Sequence, residues 1–155
     1  MESIRFKKIK SNYFLLFIIF SPILLDFVIS MIYKTALHAP QEPLLFMILT
    51  ISFLNPISEE FLARGLIIGM IALIPRIFNT NKVVTILFYI FALLISSYSF
   101  TIGHINITQI QFVSRYVASL LFGFLYLTSN RNITVPIVAH ASENLFLIIK
   151  DIFLG

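Results

Sequence analysis

Two adjacent carboxylates and a guanidinium, Glu59-Glu60-x-x-x-Arg64, sit inside a run that is otherwise apolar from Leu44 to Ile74. Insertion scales charge roughly 2.5–3.5 kcal/mol for an Asp, Lys or Arg at the centre of a spanning helix, so ionisable groups in such a run point to function. On a helix Glu60 and Arg64 are i,i+4 neighbours, which gives one carboxylate a counter-ion and leaves Glu59 without a local one. A carboxylate in that position is free to take up and release a proton, as a general base or acid must.

Further along the chain, His104 follows Phe100 by four residues, His140 precedes Asn144 by four, and Glu143 lies between those two. A lone histidine in a membrane helix is more often an interhelical hydrogen-bonding group than a catalyst. Two histidines with a Glu and an Asn require that explanation four times over. With no Cys in the chain, a nucleophile must be Ser, Thr, carboxylate or water. Ser58 and Ser142 adjoin the constellation but lack a G-x-S-x-G context, which disfavours a serine triad.

Two chemistries remain open. In the first, Glu59 deprotonates a water that one histidine helps to hold, while the other histidine and Asn144 donate to the developing oxyanion. In the second, Glu59, His104 and His140 are three ligands of a zinc ion whose fourth position holds water. No HExxH motif is present, and Asn144, a poor zinc ligand but a good amide donor, suits the oxyanion role in either scheme.

The elements that must position these groups follow from composition and periodicity. A 59% hydrophobic content, 17 Phe, no Trp and only 12% charged residues describe an integral membrane protein rather than a soluble globule. The fold class is all-α, a polytopic helical bundle of about five transmembrane or membrane-embedded segments. Residues 1–12 are a basic cytoplasmic leader, and 13–155 are a single membrane domain.

The apolar spans are expected at 13–33, 44–74, 83–103, 112–128 and 133–153. The first is too long, and too interrupted by Pro22 and Asp26, to read as a cleaved signal peptide. Asp26 itself reads as a helix-facing carboxylate satisfied by a neighbour. Asn55-Pro56 is expected to interrupt the second span, with Ser58 capping a new helix whose first turn holds Glu59 and Glu60; a kinked helix running through Pro56 is the alternative. Residues 75–82 and 105–111 read as loops.

Basic residues orient the chain. Arg5, Lys7, Lys8, Lys10, Arg76, Lys82 and Arg131 fall on one side of a five-segment arrangement, and Lys34, Arg115 and Lys150 on the other. The N-terminus is therefore expected in the cytoplasm. Because the leader accounts for four of the eleven basic residues, the net charge of +4 reads as a topology signal, not as a nucleic-acid surface.

Taken in order on separate apolar segments, Glu59-Glu60-x-x-x-Arg64, Phe100-x-x-x-His104 and His140-x-x-x-Asn144 resemble the three motifs of the CPBP family. These are the CAAX-protease and bacteriocin-processing intramembrane proteases, also called Abi. The resemblance covers about residues 44–150 and includes Gly65, Ser96-Ser97 and the Gly123 segment. It implies hydrolysis of a peptide bond within or beside a bacterial cell membrane, in a peptide or protein substrate that is itself membrane-associated, with roles in prenyl-protein processing, bacteriocin maturation or self-immunity. By similarity, Glu59 and His104 activate the water, His140 and Asn144 form the oxyanion hole, and Glu60 and Arg64 support the site; use of a divalent metal is argued both ways.

Two rival classes stay beside the protease. One is a non-catalytic bacteriocin-immunity or scaffold protein, and the other is a small proton-coupled transporter relaying protons through Glu59, His104 and His140. The segment assignment also carries a conflict of depth. If residue 83 marks one membrane surface, His104 lies roughly 30 Å from it, whereas His140 lies only about 10 Å from its own start at that surface. A tilted or projecting 83–104 helix would reconcile them; the preferred reconciliation is a re-entrant loop over 105–111.

Overall fold

The computed structural model describes residues 20–24, 43–104 and 107–154. The leader, the 34–42 connection and most of the first expected span, Asp26 included, lie outside them. Every element among the described residues is helical, with no strand. Residues 44–71 form one continuous helix, α1, followed by a single turn α2 (Ile74–Ile77), then α3 (Lys82–Ile102), α4 (Gln109–Thr128) and α5 (Thr134–Leu154).

Helix α1 runs straight through the place where an interruption was expected. It begins after Pro43 and alternates α-helical stretches, Leu44–Leu49, Asn55–Glu60 and Gly69–Ile71, with π-helical ones, Thr50–Leu54 and Phe61–Ile68. The N–H of Asn55 bonds the carbonyl of Thr50, five residues back. A proline ring in a regular helix collides with the carbonyl four residues earlier, and widening the preceding turn relieves that collision. Pro56 is thereby carried inside the helix, fully buried. Ser58 does not cap a helix; its hydroxyl donates back to the Asn55 carbonyl at 2.9 Å. Glu59 and Glu60 thus lie in the middle of a long helix, without the field of a helix start.

The other boundaries are set by caps. The Asn81 side chain accepts from Val84 N at 3.0 Å and opens α3. Thr108 and Gln111 form a reciprocal capping box, which starts α4 at Gln109, three residues before the apolar run suggested. Residues 109–111 are therefore its first turn rather than part of a re-entrant loop; residues 105–106 lie outside the described residues. Asn130 and Arg131 both adopt φ 62° and reverse the chain into α5.

That reversal resolves the conflict of depth. Arg131 donates to the Tyr89 hydroxyl at 2.7 Å, with its guanidinium 5.2 Å from the Tyr89 ring centroid. Tyr89 is seven residues into α3, about 10 Å at 1.5 Å per residue, so α5 begins well inside the level at which α3 begins. His140 consequently comes level with the far end of α3, beside Phe100, the two rings 5.5 Å apart.

Small residues let the helices approach one another. Ile68, Ala92 and Tyr126 pack α1, α3 and α4 together, and Ala118, Phe122, Leu125 and Ala139 join α4 to α5. At Gly123 an added Cβ would run into Leu93 Cδ1 on α3. We expect Gly123→Val to destabilise by about 1–3 kcal/mol through overpacking, and Gly123→Ala by less, because the end of a flexible Leu can move aside. Thermal unfolding in detergent measures both.

The outer surface is apolar, with Leu45, Phe61, Ile77, Val83 and Phe153 among the strongly exposed side chains. Exposed apolar area of this extent belongs in lipid. Among the described residues two helices, Lys82–Ile102 and Gln109–Thr128, are long and apolar enough to cross a bilayer.

Candidate active site

The polar residues meet where the middle of α1 crosses the far end of α3 and the middle of α5. Glu60 and Arg64 are fully buried and face one another one helical turn apart, Oε2 to Nε 3.0 Å. The Glu60 Oε2 and Arg64 Nε atoms are close without hydrogen-bond alignment, so the contact is an ion pair. The directed bonds of Arg64 go elsewhere: Nη2 donates to the carbonyl and to the hydroxyl of Ser119 on α4, both at 2.7 Å. The guanidinium carbon lies 5.0 Å from the Phe100 ring centroid and 5.7 Å from that of Phe122, within cation–π range of both. Arg64 thus ties α1 to α3 and α4 at once.

Glu60 uses its other oxygen on α5, where Oε1 stands 3.0 Å from His140 Nδ1. A carboxylate at that nitrogen takes its N–H and fixes how the ring is turned. The opposite ring nitrogen, Nε2, then faces Glu59 Oε2 at 3.7 Å. Phe122 stacks on the imidazole at 5.0 Å between centroids, and Phe100 meets it edge-on. His140 is held on four sides while Glu59 keeps 32% of its side chain exposed, so of the two carboxylates only Glu59 can reach an incoming molecule.

His104 lies in the connection after α3. Its Nδ1 is 2.9 Å from the Phe100 carbonyl, and its ring lies 5.0 Å from that of Phe100. Phe100 therefore touches His104, His140 and Arg64. Burial, and then the positive charge of Arg115, hold His104 below the ordinary imidazole range, so it is neutral at neutral pH.

Asn144, one turn beyond His140, donates from Nδ2 to the carbonyl of Ile51 in the first π-helical stretch of α1, at 2.8 Å. Glu143 on the same helix is buried. Among the described residues no three His, Asp or Glu side chains stand close enough together to share one metal ion in this arrangement.

Sequence reasoning passed over several participants. Arg115 shares a face of α4 with Ser119 and Phe122, at spacings of four and seven residues, and its charge acts on Glu59, Glu143 and His104. That spacing was visible in the sequence; what it faced was not. Ser119 and Phe122 gave no signal at all, being ordinary small and apolar residues of a spanning helix. Ser96, by contrast, is among the residues that carry the family resemblance; its hydroxyl donates to the Ala63 carbonyl at 2.6 Å and holds α3 to α1 one residue before Arg64.

A family model described as Rce1-like type II CAAX prenyl endopeptidase matches residues 40–146. No curated protein and no solved structure matches the chain.

Proposed function

The chain belongs to the Rce1-like family of type II CAAX prenyl endopeptidases, a family of membrane proteases, and from that premise we propose that it cuts a peptide bond with a water activated by Glu59. The observation that carries this reading is the division of labour between the two carboxylates. Glu60 is spent on Arg64 and His140, whereas Glu59 is accessible and faces His140 Nε2.

In the proposed reaction, Glu59 removes a proton from water, and neutral His104 helps to orient it. The hydroxide attacks the scissile carbonyl carbon. Charge developing on the carbonyl oxygen is met by the second N–H of the Asn144 carboxamide and, when His140 carries both ring protons, by its Nε2–H. As the tetrahedral intermediate collapses, the C–N bond breaks and Glu59 returns its proton to the leaving amine. The substrate class is a membrane-associated peptide or protein, and an S-prenylated peptide is the natural first probe. An N-terminus in the cytoplasm and a bacterial membrane complete the proposal.

The test is cleavage of a peptide ending in S-farnesyl-Cys-Val-Ile-Ser by the purified protein in liposomes, with both products identified by mass. A new carboxyl terminus after the farnesyl-cysteine supports the reading. An intact peptide, together with substrate uptake driven by a pH gradient, would replace it with the transporter.

The environment of His104 adds a pH signature. Because its proton affinity is lowered, the neutral form persists below the ordinary imidazole value of about 6.5, and activity is expected to fall only beneath that pH. Arg115→Gln removes one of the two main causes of the lowering. Its acid limb should move up in pH, as a profile of kcat/KM would record.

A further inference from the structure

The bond from Asn144 to Ile51 links two residues 93 apart in sequence, and its acceptor is a helical backbone carbonyl, which would ordinarily be taken by an N–H of the same helix. The reason it is available lies in α1. Since Asn55 N–H bonds Thr50, five residues back, the N–H that would continue this register onto Ile51 is that of residue 56. Residue 56 is proline and has none. The widened turn and the proline together leave the Ile51 carbonyl without a backbone donor, at the level where α5 passes.

We infer that Pro56 is a positioning residue: by leaving the Ile51 carbonyl open, it captures one N–H of the Asn144 carboxamide and so aims the other at the reaction centre. The inference rests on the reading of Asn144 as an oxyanion donor and adds to it the device that orients the donor. A carboxamide is planar, with two N–H bonds in fixed directions. Fixing one therefore fixes the other. An unanchored Asn on a helix face would lose rotamer freedom on reaching the transition state, whereas an anchored one has lost it beforehand. Asn144 lies four positions, about one helical turn, from His140, so the same bond also sets how α5 lies against Glu59 and Glu60.

The experiment replaces Pro56 by Ala, which gives the Ile51 carbonyl a backbone donor in either register: Asn55 N–H if the turn reverts to α, or the N–H newly present at position 56 if it stays widened. Asn144→Ala is expected to lower kcat by roughly 10²–10³-fold, the range for loss of one oxyanion donor, and Pro56→Ala to lower it in the same direction by up to that amount, each with KM nearly unchanged. The double variant should be no slower than Asn144→Ala, because both changes remove one device. Full activity of Pro56→Ala, or losses that multiply in the double variant, would overturn the inference.

A readout independent of turnover accompanies it. In protein labelled with ¹⁵N at asparagine, the side-chain pair of Asn144, assigned by its absence from Asn144→Asp, should show one strongly shifted, slowly exchanging proton. That signature should vanish in Pro56→Ala. Two equivalent, rapidly exchanging protons in the wild type would sink the idea even if Pro56→Ala failed to accumulate. Should the wild type cut no peptide, the proteolytic reading fails while the spectrum still decides whether Pro56 and Ile51 hold Asn144.

Discussion

Glu59→Gln is expected to reduce peptide cleavage by roughly 10²–10⁴-fold, the span for loss of a general acid–base group, at unchanged abundance in the membrane. Gln keeps the shape of Glu and removes only the capacity to accept and return a proton. Glu59 is partly exposed and stands 3.7 Å from His140 Nε2, beyond hydrogen-bond distance, so little of the fold depends on its carboxylate. Steady-state cleavage beside quantified membrane levels makes the comparison. Activity retained by Glu59→Gln would mean that the constellation survives as architecture, and a search for a binding partner would then follow. Glu60→Gln is a different experiment, since that carboxylate holds Arg64 and His140 together and its loss disturbs both.

The second large effect is on stability. Arg64→Met is expected to cost about 3–5 kcal/mol, the range for breaking a buried ion pair from one side, because Glu60 is then left charged and fully buried with His140 as its remaining partner. The two bonds to Ser119 vanish with it. Lysine is no remedy, having neither the fork that spans Glu60 and Ser119 nor a planar face for Phe100 and Phe122. The double variant Glu60→Gln/Arg64→Met should regain a substantial part of the loss, since no uncompensated charge remains. Unfolding temperatures of the three variants in one detergent give the comparison. A double variant as unstable as Arg64→Met would show that packing and the Ser119 bonds, rather than charge, hold the crossing.

What could be read beforehand and what could not divide along a physical line. Contacts within one helix turn are local: Glu60 with Arg64 and Phe100 with His104 stand four residues apart and needed only the 3.6-residue repeat. The apolar runs likewise announced α3, α4 and α5. The continuity of α1 was harder to read, since Asn-Pro is a breaker by local propensity and only a widened turn allows the helix through. The start of α4 was legible in Thr108-x-x-Gln111, a capping box lying outside the apolar run by which the segment was bounded. Depth was not legible at all. It depends on Arg131 reaching Tyr89, 42 positions away, a choice made by tertiary packing that no local pattern records. The same holds for Ser119 and Phe122, whose importance comes wholly from what lies opposite.

The seam of small side chains between α1, α3, α4 and α5 bears on how such a chain can drift over generations. Ala63, Ala92, Ser96, Ala118, Gly123 and Ala139 are all buried at helix contacts, and a larger group at any of them must displace side chains of a neighbouring helix or the helix itself. The lipid-facing rim is under no such constraint, because one apolar side chain suits the bilayer as well as another. Leu, Ile, Val and Phe can exchange there almost neutrally, while the seam admits only exchanges among the smallest residues. Descendants of this chain are therefore free to lose outward similarity early and to keep a sparse inner register of small and charged positions long after.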